Sequence, residues 1–204
     1  MNQTGQAQDA RQQLRRGTHC EHVRLNQHPM LVGLTRPGYS LQRYRMLMAA
    51  YYHFYRAIEE GIAQFGDAAF HYASRRKLPW LVDDLAYLEV DPLAAENLPW
   101  QPLPNMKPND IAELAGMLYT IEGSTLGGQV ISRHLSTHQG LDSDRGGRFF
   151  SAYRHLTDQR WHEFEQFLNT TLLSDAMIGG AVSAARSTFA LIETILDDFH
   201  ERLS

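Results

Sequence analysis

Two short stretches of this 204-residue chain carry residue types whose spacing could do chemistry. The first is Leu14-Arg15-Arg16-Gly17-Thr18-His19-Cys20-Glu21-His22, where two imidazoles three residues apart stand beside a thiol, a carboxylate and two guanidinium groups. The second is Glu122-Gly123-Ser124-Thr125-Leu126-Gly127-Gly128-Gln129, three glycines set inside an otherwise helical apolar pattern. Ten histidines invite a metal reading. The His19/His22 pair has no second ligand cluster of matching spacing, so a structural zinc site is unsupported. A di-iron bundle needs paired Glu-x-x-His elements, which are absent. A serine nucleophile would need a G-x-S-x-G elbow, and Cys20 has only its adjacent histidine to activate it. The glycine run is not a phosphate loop either. It lacks GxGxxG, no Lys-Ser/Thr pair follows it, and no strand precedes it.

The elements that must position these stretches read as helices. Leu14, Thr18, His22 and Leu25 fall at helical spacing, which puts a histidine on the inner stripe of a first helix. Ser40 is an N-cap for a long tyrosine-rich helix over Leu41 to about Phe65. Shorter helices follow at Asp67 to Arg76 and Pro79 to Leu88. The next twenty residues hold five prolines, which forbid regular helix across that connector. Asn109 or Asp110 caps the helix containing the glycines, which runs to about Thr137. Each glycine in a helix interior costs about 1 kcal/mol relative to alanine, so the run is expected to interrupt or bend that helix. Either a bulky flat ligand approaching the backbone or close packing through small residues would offset that cost. One or two helices cover Phe149 to Leu172. A last one starts at Asp175 and carries Ala181, Ala184, Ala185, Thr188, Phe189, Ile192 and Leu196 at spacings of three and four.

No segment alternates like a strand, so the chain reads as a single all-α domain of about seven or eight helices over residues 9–204, behind a polar tail over residues 1–8. The formal net charge is -4, with basic and acidic residues intermingled, and this excludes a broad nucleic-acid footprint. One cysteine excludes an internal disulfide framework. No apolar run approaches the ~20 residues of a membrane span, and the N-terminus has no signal-peptide core. These features together predict a cytoplasmic protein.

A neutral imidazole on an apolar stripe is either a satisfied core histidine or the proximal ligand of haem iron. Arg15 lies two turns before His22 on an adjoining face, where a basic rim would meet haem propionates, although a solvated helix face explains it too. Together with a gap for a flat ligand at the glycines, haem between two helices is a coherent arrangement. At this point the residues resemble the bacterial, biliverdin-producing haem oxygenases. L-R-R-G-T-H-C-E-H at Leu14 to His22 is similar to the family's first-helix signature, in which a threonine stands four residues before the proximal histidine. M-A-A-Y-Y-H-F-Y-R-A-I-E-E at Met48 to Glu60, R-R-K-L-P-W-L-V-D-D-L at Arg75 to Leu85, and E-G-S-T-L-G-G-Q are similar to further ordered blocks, the last being the most specific.

The resemblance implies that His22 ligates the iron, and that Gly123, Ser124, Gly127 and Gly128 form the distal ceiling where the chemistry occurs. Arg15, Thr18, Arg133, Arg186 and Tyr119 would bind the rest of the haem, and Tyr51 to Tyr55 would line the pocket. Haem would be substrate and cofactor, cleaved with O2 and external electrons to biliverdin, CO and Fe2+. The chain has no flavin or nicotinamide motif, so a ferredoxin or reductase donor is expected, and a bacteriophytochrome is a candidate biliverdin acceptor. Two departures bear on activity. Ser124 stands where animal-type relatives have an aspartate, and Asn26 stands where an acidic residue commonly follows the proximal histidine. They motivate an alternative of non-catalytic haem binding or delivery on the same fold.

Overall fold

The structure is a computed structural model that describes residues 9–66 and 70–203, so the polar tail over residues 1–8 lies outside the described residues. Among these residues it is all α-helical, with eight α-helices and no strand. In chain order they are α1 (Asp9–Gly17), α2 (His19–Asn26), α3 (Leu41–Phe65), α4 (Leu78–Tyr87), α5 (Ile111–Gln139), α6 (Arg148–Ser151), α7 (Thr157–Thr171) and α8 (Asp175–Glu201).

Long helices begin where a side chain can accept an orphan N–H. Ser40, Asp110 and Ser174 accept from the backbone of Arg43, Glu113 and Met177 at the starts of α3, α5 and α8. The proline-rich connector holds only a 3₁₀ turn, Ala95–Asn97, and Tyr72–Arg75 forms another where a short helix is expected from Asp67 to Arg76.

Helices α5 and α8 form the centre of the domain and run in the same sense where they meet, Gly116 lying against Ala181 and Thr120 against Ala185, and α3, α1 and α2 also pack on α8. α8 buries Ala181, Ala185, Thr188, Phe189, Ile192 and Leu196 as the spacing predicts, together with Ile178, while Ala184 of the predicted stripe is only half-buried. At the crossing, Gly116 leaves no room for a Cβ against the Ala181 backbone carbonyl. No helix among the described residues is long and apolar enough to cross a membrane, and none of them form a cluster of three or more metal-ligating side chains.

Two expectations about the site helices are corrected. The stripe predicts one continuous first helix with His22 inside. The chain bends instead at buried Thr18, whose hydroxyl donates to the Leu14 carbonyl at 2.8 Å in place of a solvent contact. α2 buries none of its residues, and His22 is exposed. The glycine run, in turn, does not interrupt α5, which is helical from Ile111 to Gln139. Its glycines are offset by what surrounds them rather than by a break in the hydrogen-bond ladder.

Candidate functional site

His22 projects from α2 with its ring edge-on to Phe189 of α8, centroids 6.3 Å apart. Its Nδ1 lies 3.2 Å from Nδ2 of Asn26, one turn on, so in this arrangement Nδ1 accepts and the proton of the neutral ring sits on Nε2, which has no partner among the described residues. Partial burial lowers its pKa below the ordinary imidazole value, and the positive charges of His19 and Arg15 add to that effect. The ring is therefore neutral at physiological pH. An imidazole ligates a metal through its unprotonated nitrogen, so ligation through Nε2 requires the Asn26 amide to present its oxygen to Nδ1 instead.

Around this ring stand the basic groups expected at the rim. Arg15 is exposed and close enough to His22 and Tyr119 to act on both electrostatically. Arg186 of α8 donates its Nε to the Gly17 carbonyl at 2.7 Å and lies 3.5 Å from Glu21, so its stem pins the end of α1 to α8 beside α2. Tyr119 of α5 lies within electrostatic reach of the Thr18 hydroxyl, which sets the α1/α2 bend beside the turn of α5 just before the glycines.

Trp161 of α7 was not anticipated from the sequence. Its ring is tilted against that of Tyr119 with centroids 6.4 Å apart, lies under Arg11 at 5.6 Å, and is the nearest neighbour of the space beside Gly123, 3.9 Å from where a Cβ would stand.

The three glycines differ in surroundings. A Cβ on Gly127 would meet nothing within 4 Å, so this position faces open space. A Cβ on Gly128 would lie 2.8 Å from the Phe150 carbonyl oxygen, which makes Gly128 the seat of α6. Close packing and an open backbone face, the two explanations the sequence leaves open, thus each hold for different glycines. Leu126 and Val130 are exposed apolar residues on the same helix, and Val23 is another on α2.

Ser124 has a defined orientation. Its hydroxyl donates to the Ile121 carbonyl at 2.8 Å, and because it has one proton, the contact with the Tyr55 hydroxyl at 3.2 Å has Tyr55 as donor. Burial raises Tyr55 far above its ordinary pKa, and it stays protonated. Ser124 therefore offers its surroundings a lone pair and no proton. Tyr51 packs on Tyr55 and Phe149 as core. Arg133 lies farther along α5, in a polar cleft shared with Arg154.

Directly behind Ser124 is an ionic cluster that sequence reading missed. Glu122, 1% exposed, accepts from Lys77 Nζ at 2.5 Å, from Arg75 Nη1 at 2.8 Å and from the Tyr153 hydroxyl at 2.9 Å. Glu59, 3% exposed, accepts from the Lys77 backbone N–H, from Arg76 and from Tyr72. Burial lowers the pKa of Lys77 while Glu122 opposes the shift. The adjacent basic residues Arg75-Arg76-Lys77 were its one sequence signal, since a charge run inside an apolar block needs buried partners.

The comparisons with known proteins agree with one another. A family profile described as Heme oxygenase matches residues 8–198. A curated protein named Heme oxygenase from Xanthomonas campestris pv. campestris (strain 8004) is 33% identical over 132 residues, 60% of this chain and 68% of that one. Among solved structures, heme oxygenase-2 from Synechocystis sp. PCC 6803 superposes with a TM-score of 0.75 at 20% identity, covering 94% of this chain and 85% of that one. Heme oxygenase from Leptospira interrogans gives 0.71 at 16%, covering 92% and 98%.

Proposed function

The chain belongs to the haem oxygenase family, and we propose from that premise that it cleaves haem to biliverdin, CO and Fe2+, using O2 and electrons from a separate donor. The observation that carries this reading is the neutral His22 ring, held at Nδ1 by Asn26 and open at Nε2, on the exposed face of α2. Bound haem supplies O2 activation at its iron and is itself the ring that is opened.

The residues present fit that group. With the Asn26 amide turned so that its oxygen accepts the Nδ1 proton, the Nε2 lone pair is free for iron. A neutral amide in that place withdraws the ring proton less than a carboxylate would, so His22 acts as a plain imidazole donor. Arg15 and the terminal nitrogens of Arg186 meet the propionates, with Thr18 and Tyr119 closing that edge. On the other face Gly127 lets the α5 backbone approach the ring plane, and Leu126 and Val130 cover it. Ser124 would hold one water by accepting its O–H and would supply no proton of its own, since its proton is engaged with Ile121. With no flavin or nicotinamide motif, electrons arrive from a ferredoxin or reductase in the cytoplasm. A bacteriophytochrome is the proposed acceptor of biliverdin where the reaction serves chromophore synthesis.

Carriage of haem without turnover is the second reading, favoured by the Ser124 orientation, which leaves no protein acid on that side. Reconstitution with haemin, followed by ascorbate or a ferredoxin system in air, separates the two. Decay of the Soret band with growth of biliverdin absorption is expected. A Soret band stable under reductant and O2 would establish carriage, and the absence of a Soret complex would overturn both readings.

A further inference from the structure

Beyond the haem site, the far half of α5 forms one wall of a cleft of about 620 Å³ closed by α6 and the loop between them. Every residue lining it is polar. Arg133 and Arg154 both line it, with Ser136, Thr137 and Ser143, of which Thr137 donates to the Arg133 carbonyl and Ser143 to Asp144. The Arg133 guanidinium and the Ser136 hydroxyl have no partner among the described residues, and Arg154 has only a 3.3 Å contact with exposed Asp144.

The one carboxylate in the lining, Asp142, is turned into its own loop. Its Oδ2 accepts from Arg145 Nη2 at 2.6 Å and Nε at 3.0 Å, and its Oδ1 accepts from the Asp144 N–H at 3.0 Å. The cleft thus presents two guanidinium groups and the Ser136 hydroxyl with no unengaged carboxylate in its lining. That pairing of guanidinium groups matches a ligand with several oxyanion oxygens.

The geometry points to this cleft as a binding site for a diphosphate or a phosphorylated small molecule, with Arg133 and Arg154 as its two clamps. The volume exceeds what one phosphate group fills, so a second phosphate or an attached polar group occupies the remainder. The site does not use His22, and it takes for its own ligand the Arg133 that the resemblance assigns to haem. Ser132 is hydrogen-bonded to Ser151 at 3.0 Å, and the preceding residue, Phe150, seats its carbonyl on Gly128. An occupant therefore ties α6 to α5 one turn beyond the glycine run.

Calorimetric titration of the full chain with inorganic pyrophosphate, inorganic phosphate and ADP, at constant ionic strength, tests this. Saturable binding of pyrophosphate or ADP is expected, weakened about ten-fold or more in Arg133→Gln and in Arg154→Gln and abolished in Ser136→Asp, with melting temperatures unchanged. Pyrophosphate binding at least as tightly as ADP identifies a free diphosphate as the ligand class. Tighter ADP binding identifies a nucleotide. The proposal is overturned if none of the three saturates by about 10 mM, a weaker affinity than two engaged arginines would give, or if the arginine variants bind as the wild type does.

Discussion

Two regions meet at α5, and they handle polar groups in opposite ways. On the α2 side, His22, Arg15 and the backbone face at Gly127 are exposed, and the His22 Nε2 and the Gly127 face lack protein neighbours. On the α4 side, Glu122, Lys77, Arg75 and Glu59 are almost fully buried, and each is tied to opposite charges or hydroxyls. The first region leaves capacity unused for a ligand. The second uses its capacity internally, and it makes the helix rigid just where Ser124 must be aimed. Buried ion pairs of this kind contribute little net stability but are costly to break from one side.

The comparison breaks most visibly at His22. His22→Ala should remove the histidine-ligated Soret spectrum and reduce ring cleavage to background, while the urea midpoint stays that of the wild type, because α2 buries none of its residues. Normal ligation in that variant would show the ligand assignment to be wrong.

Glu122→Ala should do the reverse. It strands Lys77 and Arg75 in the interior at a cost of about 3–5 kcal/mol, measured by denaturant unfolding, and a double replacement of Glu122 and Lys77 by apolar residues should recover most of that loss. A single variant as stable as the wild type would mean that the cluster is solvated.

The glycines sharpen the contrast within one helix. Gly128→Ala pushes on the Phe150 carbonyl and should lower stability by about 1–3 kcal/mol. Gly127→Ala should raise stability by up to about 1 kcal/mol through helix propensity, yet weaken haem binding. Equal effects of the two would remove the distinction drawn between them.

A pH effect concerns Asp84, buried on α4, which accepts from the Arg148 and Phe149 N–H groups at the start of α6 at 2.8 Å each. Burial raises its pKa to about 6 even though those N–H groups oppose the shift. A carboxyl raised in the fold favours the protonated form there. Its contribution is thus complete below the ordinary aspartate range and is lost as pH rises through about 6. Asp84→Asn should flatten the stability profile between about pH 4 and 7, followed by urea midpoints.

Much of the site was legible because its signals are local. The Thr18 and His22 spacing, the glycine run and the caps at Ser40 and Asp110 depend on residues a few positions apart, and the resemblance in ordered blocks extended them to a family. The bend at Thr18 was missed because a side-chain bond to Leu14 competes with helix geometry without changing the apolar spacing. The role of Gly128 was missed because its neighbour, Phe150, is remote in sequence.

By itself the sequence determined the all-α class, the long helices with their caps, and which residue types could ligate and grip a haem, since periodicity and capping are short-range properties of the chain. Only the tertiary structure decided which glycine packs and which stays open, that Ser124 offers a lone pair to the site, and that Glu122 answers Arg75 and Lys77. Those outcomes depend on which helices approach within a few ångströms, and side-chain partners separated by tens of residues leave no periodic trace in the chain.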